Sequence, residues 1–130
     1  MDRRSLLPRL LVFEAATYAI ASLVHFGVMI HGFEHDRAGT AEAIIAAVLL
    51  VGLATTLLRP GWTPSAAFIA QLFALIGTVV GLFSIVVGFG PRTVPDVAYH
   101  AAIVVVLLVG LVVSWRSRAG ANGLEREPAS

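Results

Sequence analysis

The chain has 130 residues, of which 58% are hydrophobic and only 13% are charged. A soluble domain of this size needs more polar residues to cover its surface, so the composition excludes the soluble globular class and predicts an integral protein of the lipid bilayer. The net charge of +1 gives no basic surface for nucleic acid, and the lack of cysteine excludes disulfides and thiolate metal sites.

The first predicted membrane span runs from about residue 10 to residue 32, after a basic flank at residues 1–9. Flanks of this kind stay in the cytoplasm. A cleaved signal peptide is the alternative, because Ala19-Ile20-Ala21 has the small-x-small form of a cleavage site. Glu14 would then interrupt the apolar region that a signal needs, and the apolar run continues well beyond the motif. We therefore expect the span to be retained.

Three further spans follow, and each is bounded by a polar turn or by helix breakers. The polar turn from Glu34 to Thr40 precedes the second span, and Thr40 with Glu42 is typical of a helix N-cap followed by an acid in the first turn. Pro60 and Pro64 separate the second span from the third. The predicted spans are 41–58, 65–88 and 96–115.

Connections this short place successive helices side by side and antiparallel. Residues 1–118 are therefore predicted to form one all-α domain, an antiparallel up-and-down four-helix transmembrane bundle. Residues 119–130 have little to bury and are predicted to be a disordered cytoplasmic tail. With both termini in the cytoplasm, only Arg37 and Arg92 of the nine arginines lie outside, which is the expected positive-inside bias. The expected location is a bacterial-type inner or plasma membrane, which the chain crosses several times.

The predicted helices carry stripes of polar residues. Glu14, Tyr18 and His25 share one face of the first helix, and Asp96 and His100 are four residues apart on the fourth. Ionisable groups are costly in contact with lipid. These stripes are therefore expected to face the interior of the bundle.

Depth along the helices sorts the polar residues into two groups. With a rise of about 1.5 Å per residue, two histidines and two acids fall at similar height near the outer end of the bundle. The members of this outer group are His25, His100, Glu42 and Asp96. By the same rise, Glu14 and Gln71 lie at matching depth on the cytoplasmic side.

The outer group is the candidate binding site. Imidazole and carboxylate suit Zn, Fe and Cu, so the pattern predicts a bound metal ion that serves electron transfer, sensing or ion handling. The predicted ligands are His25, His100, Glu42 and Asp96, with His31 and His35 as possible additional ligands. Alternatively, His25 and His100 are the two axial ligands of a b-type haem. Hydrogen bonding between helices is the competing interpretation, and it needs no ligand.

Glu14 is the candidate proton-binding residue, because a carboxyl group this far from water is expected to bind and release protons. Tyr18 and Gln71 are expected to support it through hydrogen bonds. In length, in span number and in one glutamate within the first span, the chain resembles the small multidrug resistance transporters. Residues 12–18 lack that family's motif, and the family has no outer histidine cluster. The resemblance implies proton-coupled transport of a small molecule by a dimer.

Gly77 and Gly81 form a GxxxG motif in the third span, which predicts close helix packing within the bundle or between two copies of the chain. The sequence contains no recognisable nucleophile-base pair and no phosphate-binding glycine loop, so an enzyme is not the leading interpretation. The sequence is therefore compatible with three classes of function. They are a metal or haem protein first, a proton-coupled carrier second, and a structural accessory subunit of a larger membrane complex third.

Overall fold

The computed structural model describes residues 3–124, with side chains described for residues 5–120. This part of the chain forms four long helices and no strand. They are α1 (Arg3–His25), α2 (Asp36–Leu58), α3 (Thr63–Val87) and α4 (Val94–Leu124), with one turn of 3-10 helix at Pro60–Trp62 between α2 and α3. All four helices are long and apolar enough to cross a membrane. The predicted all-α, four-helix membrane bundle is confirmed.

The two ends of the bundle differ in what they carry. We call the end with the connections at residues 26–35 and 88–93 the loop end. The opposite end carries the Pro60–Trp62 turn and the first and last described residues, and we call it the termini end.

Helix α1 ends at His25, before the predicted end of the first span at residue 32. Gly27 and Gly32 both adopt a left-handed backbone, with φ angles of +69° and +97°. This conformation stops an α-helix and suits glycine, which has no Cβ to clash. The N–H of His35 then donates to the carbonyl of His25 over 2.8 Å and closes the connection.

Helix α2 begins at Asp36, five residues before the predicted start at residue 41. Its N-cap is His35, whose Nδ1 accepts a hydrogen bond from the backbone N–H of Ala38. The hydroxyl of Thr40 instead donates to the carbonyl of Asp36 inside the helix. The predicted N-cap at Thr40 is therefore wrong.

Helix α3 agrees with its predicted span to within two residues at each end. Helix α4 begins at Val94 and continues to Leu124, well beyond the predicted end at residue 115. Residues 119–124, which were expected to belong to a disordered tail, are helical. The remainder of that predicted tail, residues 125–130, lies outside the described part of the chain.

Large apolar side chains cover the outside of the bundle, while the buried contacts are rich in alanine. Exposed members include Phe13, Ile20, Val51, Leu58, Ile69, Phe83, Val105 and Val112. Buried alanines include Ala15, Ala46, Ala67, Ala70 and Ala74. Small residues let helix backbones approach closely, and the apolar outside matches the hydrocarbon interior of a bilayer. The chain is a multi-pass membrane protein.

Glycines mark two close approaches between neighbouring helices. A Cβ built on Gly52 in α2 would lie 2.6 Å from the Cβ of Ala70 in α3. A Cβ on Gly77 would lie 2.8 Å from the Cδ1 of Ile45. These contacts place α2 and α3 near backbone contact, with Gly77 of the GxxxG motif packed inside the bundle.

Candidate functional site

The buried side of α1 carries polar residues at regular intervals from the termini end to the loop end. Glu14, Tyr18, Ser22 and His25 are all buried. Each contacts a partner on another helix, so the interior of the bundle contains a series of polar contacts instead of a purely apolar core.

At the loop end, the imidazole of His25 lies between two carboxyl groups from two other helices. Its Nδ1 is 2.6 Å from Glu42 Oε2 on α2, and its Nε2 is 3.0 Å from Asp96 Oδ1 on α4. All three side chains are buried. These hydrogen bonds join α1, α2 and α4 in one contact. We call His25, Glu42, Asp96 and His100 the loop-end cluster.

Asp96 connects the two histidines of the cluster. Its second carboxylate oxygen accepts a hydrogen bond from the Thr93 hydroxyl. Its backbone carbonyl lies 2.7 Å from His100 Nδ1, so that ring nitrogen carries the proton and donates. With Nδ1 as the donor, the neutral form of the ring presents a lone pair at Nε2. Both predicted imidazoles are buried, and both contact Asp96, His25 through the aspartate side chain and His100 through the backbone carbonyl of its own helix.

Glu42 differs from its neighbours in having one carboxylate oxygen without a hydrogen-bond partner. Oε1 is buried and contacts no donor in the described part of the chain. Glu42 also lines a cavity of about 220 Å³ that extends between α2, α3 and α4. A buried acceptor without a partner is energetically costly, so this oxygen is a place where a ligand or a proton would be stabilised.

At the termini end, Glu14 pairs with Gln71 as the depth argument predicts. The side-chain amide of Gln71 donates to both carboxylate oxygens of Glu14, over 3.1 and 3.2 Å. The Ser114 hydroxyl lies 3.2 Å from the side-chain oxygen Oε1 of Gln71 and 2.9 Å from the carbonyl of Gly110, so its one hydrogen is shared between these acceptors. We call Glu14, Gln71 and Ser114 the termini-end cluster, which joins α1, α3 and α4.

Gly110 makes room for the termini-end cluster. A Cβ at this position would lie 2.2 Å from Gln71 Nε2 and 2.9 Å from Glu14 Oε1. The pair therefore packs directly against the backbone of α4. A side chain at residue 110 is incompatible with the observed arrangement.

Aromatic residues lie between the two clusters. The Tyr18 hydroxyl hydrogen-bonds to that of Thr78, and the Thr78 hydroxyl donates to the carbonyl of Ala74 over 2.6 Å. Tyr18 is therefore the donor to Thr78. The Tyr99 ring packs edge-on against Tyr18, with centroids 6.2 Å apart, and against His100, with centroids 5.3 Å apart.

The two possible additional ligands are His31 and His35, and neither side chain hydrogen-bonds to a side chain of the loop-end cluster. The His31 side chain is 91% exposed and contacts Glu34 over 3.3 Å. Both ring nitrogens of His35 contact backbone groups: Nδ1 accepts from the N–H of Ala38 as the helix cap, and Nε2 donates to the carbonyl of Phe89 in the connection between α3 and α4. At Glu34, its own backbone N–H and that of Gly32 lower the pKa of the carboxyl group. The contacts of His31 and Glu34 lie within this turn, whereas His35 joins it to the connection between α3 and α4.

For the predicted metal site, the described residues contain no group of three or more His, Asp or Glu side chains arranged to hold an ion. In this geometry both ring nitrogens of His25 hydrogen-bond to the other predicted ligands. Coordination by His25, to a metal ion or to haem iron, would require one of those hydrogen bonds to be exchanged for the metal. The metal and haem hypotheses remain predictions.

Sequence reasoning did not identify Thr93, Tyr99 or Gly110. Thr93 lies three residues before Asp96, and Tyr99 directly precedes His100. This spacing along the chain could have predicted that both lie near the cluster. Gly110 carried no comparable signal, because glycine is common in membrane helices and its role depends on which side chains face it.

Comparison of the chain with protein-family models, with curated proteins and with solved structures finds no match.

Proposed function

We propose that the chain is a proton-coupled carrier of a small molecule, with Glu14 as the residue that binds the proton. The observation that supports it is the position of this carboxyl group. Glu14 is fully buried and its oxygens accept from the neutral amide of Gln71. No ion pair to Glu14 occurs in the described part of the chain. A carboxyl group inside a membrane without a cationic partner is neutralised by binding a proton.

The second support is the series of polar contacts on α1. Between Glu14 and His25 lie the Tyr18–Thr78 hydroxyl pair and Ser22, which donates to the carbonyl of Gly39 over 2.8 Å. Polar residues inside membrane segments are costly and are commonly found along ion and proton pathways. A carrier needs such groups at both ends of the bundle.

Charge distribution supports an orientation for this carrier. The described arginines at the termini end are Arg3, Arg4, Arg9, Arg59, Arg116 and Arg118, whereas Arg37 and Arg92 lie at the loop end. By the positive-inside rule, the termini end faces the cytoplasm and the loop end faces outward. Glu14 then exchanges protons with the cytoplasmic side.

We expect Glu14→Gln to abolish proton binding within the bundle while the fold is kept. Glutamine has nearly the same shape but does not titrate, and Gln71 can still hydrogen-bond to it. Infrared difference spectra of the full chain in lipid, recorded across a pH titration, measure this directly. The wild type should show a protonated-carboxyl C=O band that Glu14→Gln lacks.

Glu34→Gln is the matched control, because Glu34 is an exposed glutamate of the loop-end turn. This variant should keep the band. Proteoliposomes with an internal pH dye and an imposed potassium gradient, supplied in turn with small organic cations, then report proton entry coupled to their transport, which should be lost in Glu14→Gln alone. An unchanged band and unchanged proton entry in Glu14→Gln would remove the proposal.

The other hypotheses are tested separately. Elemental analysis and an optical spectrum of the purified protein test for a stoichiometric metal or a haem Soret band. The unpartnered Glu42 Oε1 is the observation that favours a metal ion. Size-exclusion chromatography with light scattering tests the homodimer, and co-purification from native membranes tests the accessory subunit of a larger complex.

A further inference from the structure

The cavity of about 220 Å³ beside the loop-end cluster has a size suited to a small molecule. At a liquid volume of about 30 Å³ per water, it corresponds to roughly seven water molecules. Its apolar wall includes Ile45, Val80 and Ile85, and its rim includes Phe89 and Pro91 of the connection between α3 and α4. It therefore combines an apolar wall with the carboxyl group of Glu42.

Counting donors shows what the loop-end cluster lacks. Glu42 and Asp96 together present four carboxylate oxygens. In its protonated form His25 provides two N–H groups for them, and the Thr93 hydroxyl provides a third donor. Oε1 of Glu42 is the oxygen left over, and it is buried. One further donor, preferably carrying positive charge, would complete the cluster.

Three polar side chains that line the cavity do not supply this donor, because their hydrogens are used elsewhere. The Tyr18 hydroxyl donates to Thr78, the Ser84 hydroxyl donates to the carbonyl of Val80, and His100 Nδ1 donates to the carbonyl of Asp96. What these groups retain are lone pairs. These three side chains therefore offer the cavity acceptors and no free donor.

His100 Nε2 is one of these acceptors, and Gly81 leaves space beside it. A Cβ on Gly81 would lie 3.5 Å from Nε2, and both residues line the cavity. Among the described lining residues, Arg37 is the one arginine. It lies on the exposed side of α2 near the loop end, with its charge available to water.

We propose that this cavity binds a small primary ammonium compound, with its N–H groups donating to Glu42 Oε1 and its short alkyl part against the apolar wall. A primary ammonium has three N–H donors and a positive charge, which match an acceptor-lined pocket with one unpartnered carboxylate oxygen. The site does not depend on Glu14, which lies at the other end of the bundle. It stands whether or not the protein couples transport to protons.

Isothermal titration of the purified full chain in detergent tests the proposal with three probes of similar size. n-Butylammonium has both the charge and the donors, tetramethylammonium has the charge without N–H donors, and n-butanol has one donor without charge. We expect binding of n-butylammonium and little or none of the other two. Equal binding of all three, or no binding of n-butylammonium, would overturn the proposal.

Substitutions of cavity residues test whether n-butylammonium binds in this cavity. Glu42→Gln should weaken n-butylammonium binding by roughly tenfold to a hundredfold, since a hydrogen bond to a charged group is lost. Gly81→Val should also weaken it by filling the space beside His100, and this variant leaves the His25 contacts in place if Glu42→Gln fails to fold. Glu34→Gln, an exposed carboxylate at the same end, should bind as the wild type does.

Glu14→Gln separates this inference from the proposed function. It should bind n-butylammonium normally even though it has lost proton binding. Equal binding by Glu42→Gln, Gly81→Val and wild type would show that the amine binds elsewhere, and the cavity would lose its assignment.

Discussion

Replacing Gly110 by alanine is expected to lower the free energy of unfolding by about 1 to 3 kcal/mol, the usual cost of overpacking a filled interior. The added Cβ would lie 2.2 Å from Gln71 Nε2 and 2.9 Å from Glu14 Oε1. The amide is held by Glu14 on one side and by Ser114 on the other, so it has little freedom to move away. Denaturant titration of the purified protein, followed by circular dichroism, measures the change.

Gly120→Ala is the matched control on the same helix, because a Cβ there meets no atom within 4 Å. It should be neutral or stabilise the protein by up to about 1 kcal/mol, since alanine is the better helix former. Adding Gln71→Ala to Gly110→Ala should recover part of the loss, because the colliding amide is gone. If the two alanine variants at 110 and 120 have the same stability, the described packing of α4 on the termini-end cluster is wrong.

His25→Ala is expected to be the most destabilising single substitution, with a loss of about 3 to 5 kcal/mol. The imidazole contributes hydrogen bonds of 2.6 and 3.0 Å to two buried carboxyl groups on two other helices. Its removal leaves both acids without that donor in a site shielded from water. The same denaturant titration provides the measurement.

His31→Ala controls for the loss of an imidazole at the same end of the bundle. Its side chain is 91% exposed, so its removal should change stability by no more than about 0.5 kcal/mol. In a Glu42→Gln background, His25→Ala should cost less than in the wild type, because one of the two abandoned carboxylates is then absent. Equal losses of unfolding free energy in His25→Ala and His31→Ala would contradict the prediction that the contacts of His25 stabilise the bundle.

Helical periodicity predicted both polar clusters because an α-helix fixes the depth and face of each residue along its axis. Glu14 and Gln71 were placed at the same height from the rise per residue alone, and they are in contact. His25, Glu42 and Asp96 were placed at one level in the same way, and they form a single hydrogen-bonded group. Costly polar residues in an apolar sequence have few positions available, so their partners were restricted as well.

Helical periodicity does not predict the connections between the helices or the cavity. Residues 26–30 continue the apolar run after α1, although they lie outside the helix. Hydropathy cannot distinguish an apolar loop near the membrane surface from another helical turn. His35 as an N-cap was equally hidden, since serine, threonine, aspartate and asparagine are the usual caps. The cavity depends on how Gly81 and His100 meet across two helices, which no single segment encodes.

Helix α1 has the lowest mean hydropathy of the four, 1.4 against 2.2 to 2.5 for the others. It is also synthesised first, while the partners of its polar groups are still to come. Glu42 belongs to α2, Gln71 to α3 and Asp96 to α4, so the hydrogen bonds of Glu14 and His25 can form only after those helices have been synthesised. Stable membrane insertion of the opening helix is therefore completed by the helices that follow it from the ribosome.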